Sequence, residues 1–124
     1  MIFVFGSNIA GRHGKGAART AFQKHGAIYG KGHGIMGNSY ALATCGRYFE
    51  PLPLPMIEMN VERFLGFASG DLSNKFQVTR VGCGLGGYQD EDIAPMFTHA
   101  PDNVFFDTKW EKYLGENHEY WGTY

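Results

Sequence analysis

The placement of glycine constrains this chain more than any other feature. Of its 18 glycines, nine fall between Gly6 and Gly37 and four more within Gly82–Gly87. Each dense stretch follows a run of β-branched and aromatic residues and precedes a helical pattern. Both therefore sit where a strand hands over to a helix. No G-x-y period is present, which excludes collagen, and 15% aromatic residues argue against a disordered chain. At 124 residues, a single domain spanning 1–124 with one lean core is expected.

Met1–Phe5 reads as a buried strand ended by Gly6 and Ser7. Ala17, Ala18, Ala21, Phe22 and His25 recur at helical spacing, and Gly26 is placed to end that helix. Residues 28–38 contain four glycines and read as a mobile loop. Ser39–Thr44 is the second expected strand. The prolines of Glu50–Pro55 impose an extended connector, and Pro55 suits the first turn of the following helix. That helix carries one apolar stripe, Ile57, Val61, Phe64, Leu65 and Ala68, and ends near Gly70. Phe76–Val81 alternates as a third strand and runs directly into Gly82–Tyr88. A short helix follows from about Asp90 to His99, with Asp92 as the expected N-cap and Pro95 in the first turn. Asn103–Phe106 is a fourth strand, and the tail Trp110–Tyr124 reads as a short helix over the sheet. Strands alternating with helices predict an α/β sandwich with a mainly parallel sheet.

The net charge of −1 points to no partner, but the halves differ. Residues 1–50 hold six Lys/Arg against the single acid Glu50, whereas residues 51–124 hold five against eleven acids. A basic, glycine-dense half favours a small anionic ligand such as a phosphate over a long polyanion; a chance split across a globular surface is the alternative. Cys45 and Cys83 show no zinc-ligand spacing. The apolar run Ile2–Phe5 is too short for a signal peptide, and no stretch approaches the length of a membrane span. The expectation is a reduced, cytoplasmic protein without metal, cofactor or membrane contact.

In open parallel α/β folds, ligands bind outside the carboxyl ends of the strands. Helix N-termini there offer unpaired N–H groups and a positive dipole end, and glycine lets the backbone approach an oxygen closely. Two such loops beside basic residues point to a pyrophosphate. Neither has a familiar nucleotide pattern. Gly11–Gly16 lacks the GxxxxGK(S/T) spacing of an NTPase P-loop, and Gly82–Gly87 lacks the G-x-G-x-x-G spacing of a dinucleotide fold.

The first loop, with Gly6-Ser7-Asn8 after a strand and Gly14-Lys15-Gly16-Ala17-Ala18 opening a helix, resembles the first ligand loop of macro domains. Val78-Thr-Arg-Val-Gly-Cys-Gly-Leu-Gly-Gly87 resembles their second, diphosphate-gripping loop. The likeness covers roughly residues 2–45 and 76–106. It is nearest to the branch that removes terminal ADP-ribose from acidic residues or DNA, and it extends to short macro-like proteins of bacteria and phages. The resemblance implies ADP-ribose binding by a three-layer α/β/α sandwich with no obligatory metal. The catalytic aspartate of that branch corresponds to Gly86 here, and an aspartate of another hydrolytic branch corresponds to Lys15. The resemblance therefore transfers binding more fully than catalysis.

Cleavage at the distal ribose passes through an oxocarbenium-like state that a carboxylate can stabilise or attack, or a lysine can attack the opened sugar. Lys15, among helix-start donors and near Arg12, is the candidate lysine; a phosphate-binding or solvated lysine is the alternative. Asn8 is the candidate to orient the ribose, or else a turn former. Asp90 is the candidate carboxylate, with helix capping as its rival role, and the same pair of roles applies to Asp92. His13 is a candidate general base or a plain surface group. Gly6, Ser7, Gly14, Gly16, Gly82, Cys83, Gly84, Leu85, Gly86, Gly87 and Tyr88 are the expected ligand contacts. Tyr88 packs on sugar or base, or sits in the core. Cys83 as a nucleophile with His33 is disfavoured, because no orienting acid is recognisable. The expected function is to bind ADP-ribose, or a related nucleotide diphosphate, and to remove ADP-ribose from a modified protein or nucleic acid. The alternatives are a non-catalytic reader or sponge of the same ligand, and a nucleic-acid-binding phage accessory protein.

Overall fold

Phe3, Val4 and Phe5 are consecutive, so a strand containing them has apolar side chains on both faces and must be covered on both. The computed structural model, which describes residues 1–123, places them in β1 (Ile2–Asn8), inside a six-stranded sheet. The other strands are β2 (Gly34–Met36), β3 (Ser39–Cys45), β4 (Phe76–Val78), β5 (Val104–Asp107) and β6 (Glu119–Gly122). Their order is β2-β3-β1-β4-β5-β6, with every pairing parallel except β2 with β3.

The alternation of β1 assigns the layers. Phe3 and Phe5 pack with Ala18 and Ala21 of α1 (Gly16–Lys24). Val4 faces the opposite way, into a larger cluster with Ile57, Val61, Phe64 and Ala68 of α2 (Leu54–Ser69). The same cluster takes in Ile93 of α3 (Asp90–Ile93) and Trp110, which precedes α4 (Glu111–Leu114). Helices thus cover both faces of the sheet, as an α/β sandwich requires. Phe64 lies at the centre of an aromatic group, with ring centroids 5.0 Å from Tyr40, 5.5 Å from Phe76 and 6.4 Å from Phe97. No helix among the described residues is long and apolar enough to cross a membrane.

Four local expectations are corrected. The loop over residues 28–38 contains β2, which pairs antiparallel with β3 across Gly37 and Asn38; three residues are too few to show a period. The third strand ends at Val78 rather than Val81, and beyond it the Thr79 hydroxyl donates to the Val4 carbonyl at 2.7 Å. The helix expected over residues 90–99 is a single turn, α3, continued by a 3-10 turn at Ala94–Phe97. Its N-cap is Gln89, and Asp92 occupies the third position of a capping box. The tail is only briefly helical: α4 stops at Gly115 (φ 79°), and β6 then extends the sheet beside β5. The Trp121 indole fixes β6 by donating to the Val78 carbonyl at 2.9 Å. Tyr124, the last residue of that expected helix, lies outside the described residues.

Phe64→Ala removes a fully buried ring from the larger cluster and should cost about 3–5 kcal/mol. That is a large share of the stability of a small domain, and urea denaturation of the variant against the parent chain measures it.

Candidate functional site

Because β3, β1, β4 and β5 are parallel neighbours, their carboxyl ends lie along one edge of the sheet. A cavity of about 620 Å³ opens there. Its walls come from Thr44 and Cys45 at the end of β3, Gly6, Ser7 and Asn8 at the end of β1, Thr79–Gly82 after β4, and Asp107 at the end of β5.

The loop between β1 and α1 is built on Asn8. The Asn8 carboxamide accepts from the Arg12 backbone N–H and donates to the Arg12 carbonyl, both at 3.0 Å, closing a five-residue turn. A second segment, Gly30–Gly32, lies directly on this turn, and the Ser7 hydroxyl donates to the Gly32 carbonyl. The approach is so close that a Cβ on Gly11 would come within 2.3 Å of Gly30, and one on Gly32 within 2.4 Å of the Asn8 carbonyl oxygen. These glycines serve backbone packing rather than a ligand. Gly14, Lys15 and Gly16 emerge beyond the packed turn and line the cavity. Lys15 is the extended N-cap of α1; it makes no capping hydrogen bond, and the first turn of α1 carries no acid.

The second loop leaves β4 through Thr79, Arg80 and Val81. Gly82, Cys83, Leu85 and Gly86 line the cavity. Leu85 reaches across to the first loop, where its Cδ1 lies 3.1 Å from the position a Cβ would take on Gly16. The two loops therefore meet over the cavity. Gly84, Gly87 and Tyr88 are not on its walls. The Tyr88 hydroxyl donates instead to the Leu52 carbonyl at 2.7 Å, which anchors the far side of the loop.

Asp90 also lies off the cavity walls. Its carboxylate pairs with the Arg80 guanidinium at 2.9 Å and accepts from the Trp110 indole N–H at 2.8 Å. Burial pushes the Asp90 pKa upward, but the Trp110 indole, the Cys83 thiol and Arg80 together outweigh it, so the net shift is downward. Asp90 thus holds Arg80 in place. Asp92 is consumed by the capping box, where it accepts from the Gln89 backbone N–H at 3.0 Å. His13 is neither a cavity residue nor a surface one: it is 2% exposed and packs edge-on to Phe5 at 5.3 Å. Burial lowers its pKa, with the Lys31 backbone opposing in part. Burial, and then the neighbouring Asp90, push the Cys83 thiol up to about 12, so it stays protonated at neutral pH. His33 is exposed, in a separate small cleft beside Tyr40 and Arg63.

The sequence reading passed over several wall residues: Arg12, Tyr29, Thr44, Cys45, Phe49, Thr79, Arg80, Val81 and Asp107. Asp107 had a usable signal, because it closes an apolar run at a strand's carboxyl end, the same rule that singled out the glycine loops. Asp107 is fully buried; it accepts from the Lys109 backbone N–H at 2.9 Å and the Thr123 hydroxyl at 3.2 Å, and Arg80 Nε lies 3.9 Å away. Among the described residues, the walls therefore carry Arg12, Lys15 and Arg80 against the single carboxylate of Asp107.

Asp90→Asn should lower stability at pH 7 by about 1 kcal/mol, because Arg80 loses the nearer of its two ionic partners while Trp110 can keep a carbonyl acceptor. A carboxylate whose native pKa is depressed contributes above its unfolded value and loses that contribution as the pH falls through the native one. The gap between variant and parent should thus begin to narrow as the pH falls below 3.8, as read by denaturation at pH 7 and at steps below pH 3.8.

No protein-family model matches this chain, and no curated protein or solved structure matches it either.

Proposed function

We propose that this chain is a macro-like domain that binds ADP-ribose or a closely related nucleotide diphosphate at the carboxyl edge of its sheet. The observation that carries this reading is the cavity of about 620 Å³ bounded by both glycine loops, Gly14–Gly16 on one side and Gly82, Cys83, Leu85 and Gly86 on the other. That volume is within the usual range for small-molecule sites. The start of α1 faces it with unpaired backbone N–H groups and no competing acid, an arrangement that suits a phosphate oxygen. Arg12, Lys15 and Arg80 add positive charge to the walls.

The reading extends to removal of ADP-ribose from a modified protein or nucleic acid. Lys15 is the wall residue suited to the chemistry, with Asn8 lining the same cavity. The Asn8 amide nitrogen gives one hydrogen to Arg12 and has a second for a ribose hydroxyl. In the proposed step the Lys15 amine bonds to the anomeric carbon of the opened sugar, the bond to the macromolecule breaks, and the departing group takes the proton. Water then cleaves the resulting imine, restoring the amine and releasing ADP-ribose. The non-catalytic reader is favoured by a separate observation. The one carboxylate among the described wall residues, Asp107, already accepts from Lys109 and Thr123, and the Cys83 thiol is protonated.

Titration calorimetry with ADP-ribose should give binding that Gly86→Glu weakens at least tenfold, because it sets a carboxylate in the diphosphate loop. A Cβ on Gly86 meets nothing closer than Thr44 Oγ1 at 3.8 Å, so the backbone there accepts a β-carbon, and a melting curve of the variant checks that it stays folded. Unchanged affinity in that variant would place the ligand elsewhere. Salt-dependent oligonucleotide binding without any response to ADP-ribose would select the accessory-protein reading.

On an ADP-ribosylated substrate, Lys15→Ala should lower turnover roughly 100-fold while ADP-ribose still binds. Tight binding without turnover in the parent chain would select the reader.

A further inference from the structure

His13 is the one titratable side chain of the first loop that the fold encloses. It is 2% exposed, and neither ring nitrogen has a hydrogen-bond partner among the described residues. Arg12, Gly14 and Lys15, on either side of it, are exposed and line the cavity. A neutral imidazole carries one N–H and one bare nitrogen, so this position leaves a donor and an acceptor buried and unpaired, which protein interiors avoid. Packing gives no reason for the nitrogens. The ring sits edge-on to Phe5 of β1 at 5.3 Å and to Tyr29 at 6.1 Å, contacts that a phenyl ring makes equally well. What imidazole adds is the capacity to take a proton near neutral pH.

Its neighbours place it beneath a strap. Residues 28–33 lie across the first loop, where the Gly30 N–H donates to the Gly11 carbonyl at 2.8 Å and the Ser7 hydroxyl to the Gly32 carbonyl. Tyr29 belongs to this strap and is itself a wall residue of the cavity. His13 thus lies between the central strand and the strap, and it belongs to a loop that forms the same wall.

A proton on this ring would have no counter-ion. β1 carries no titratable side chain, the loop adds Arg12 and Lys15, the strap adds Tyr29, Lys31 and His33, and α1 adds Arg19 and Lys24. His25, just after α1, stacks on Phe3 at 4.4 Å. No carboxylate side chain precedes Glu50 in the sequence, and Glu50 already accepts from the Tyr48 backbone N–H at 3.1 Å. Burial lowers the His13 pKa below its ordinary 6.5, and the Lys31 backbone offsets this only in part.

We infer that His13 is an acid-operated latch of the cavity: the neutral ring fills the space under the strap and keeps the first loop closed, and the protonated ring leaves it, so that strap and loop part. The latch is a property of the fold, and its coupling to a ligand rests on the reading that a nucleotide diphosphate lies between the two glycine loops. Above pH 6.5 the ring is neutral in both forms, and closure keeps its full advantage. As the pH falls below 6.5 the open form takes its proton first, and closure weakens by up to about tenfold per pH unit until the buried ring titrates as well.

Amide hydrogen exchange, corrected for the intrinsic pH dependence of exchange, reads the latch in the unliganded protein. Protection of the Gly30 N–H should fall about tenfold between pH 7.5 and pH 5.5. That of the Phe76 N–H, which donates to the Asn103 carbonyl at 2.8 Å, should stay level. His13→Phe should hold Gly30 protection at one level across the range. In the parent chain, the His13 ring followed by NMR should titrate below pH 6.5, a reading that needs no variant. Level Gly30 protection in the parent, an equal loss at Phe76, a loss that persists in His13→Phe, or ring titration at or above pH 6.5 would each overturn the inference. Saturating ADP-ribose should raise Gly30 protection at pH 5.5, because a ligand of the closed form opposes opening. Binding seen by calorimetry without that rise would also overturn it. If ADP-ribose does not bind at all, the nucleotide reading fails, and exchange in the unliganded protein still decides the latch.

Discussion

Parallel pairing of β1 between β3 and β4 is the constraint on which the rest of the structure depends. Parallel neighbours point their carboxyl ends the same way, and each must be followed by a crossover that returns the chain to the other edge. The segments leaving β1, β3, β4 and β5 are thereby brought to one place. That is how Gly14 and Gly86, 72 positions apart in the chain, come to line one cavity. The register is set by apolar side chains on both faces, since slipping β1 by one residue would exchange Val4 with Phe3 and Phe5 between unequal clusters.

Charge then stiffens one side of the cavity. Arg80 follows β4, Asp107 ends β5 and Asp90 opens α3, so one guanidinium links three successive elements. The Trp110 indole adds a fourth through Asp90. This arrangement fixes the second loop at both roots, while Gly84 and Leu85 between them remain exposed. The first loop is held differently, by the Asn8 carboxamide and by the glycine segment laid across it. One loop is anchored by side-chain charge and the other by close backbone packing.

Long elements with a clear period were legible in the sequence. The stripe of α2 and the apolar run of β1 led directly to their burial, and strand-to-helix glycines led to the cavity wall at Gly14, Gly16, Gly82 and Gly86. What escaped was short or non-local. β2 and β6 have three and four residues, too few for alternation to register, and they form along the edges that β3 and β5 offer. Asp90 was misplaced because its partners, Arg80 and Trp110, lie ten residues before and twenty after it, and nothing local announces them. The glycines of Gly30–Gly32 read as part of a mobile loop, but they are packed closely against the backbone of their own chain.

The contact of Leu85 with Gly16 has a kinetic consequence. The side chain is 74% exposed and anchored only by its own loop, yet it spans the gap between the two glycine turns. A ligand held between the two loops would pass this side chain on its way out. Residence time at the edge of this sheet would then be set by the rotamer of one leucine, and affinity changes at that position should be expressed in the off-rate far more than in the rate of encounter.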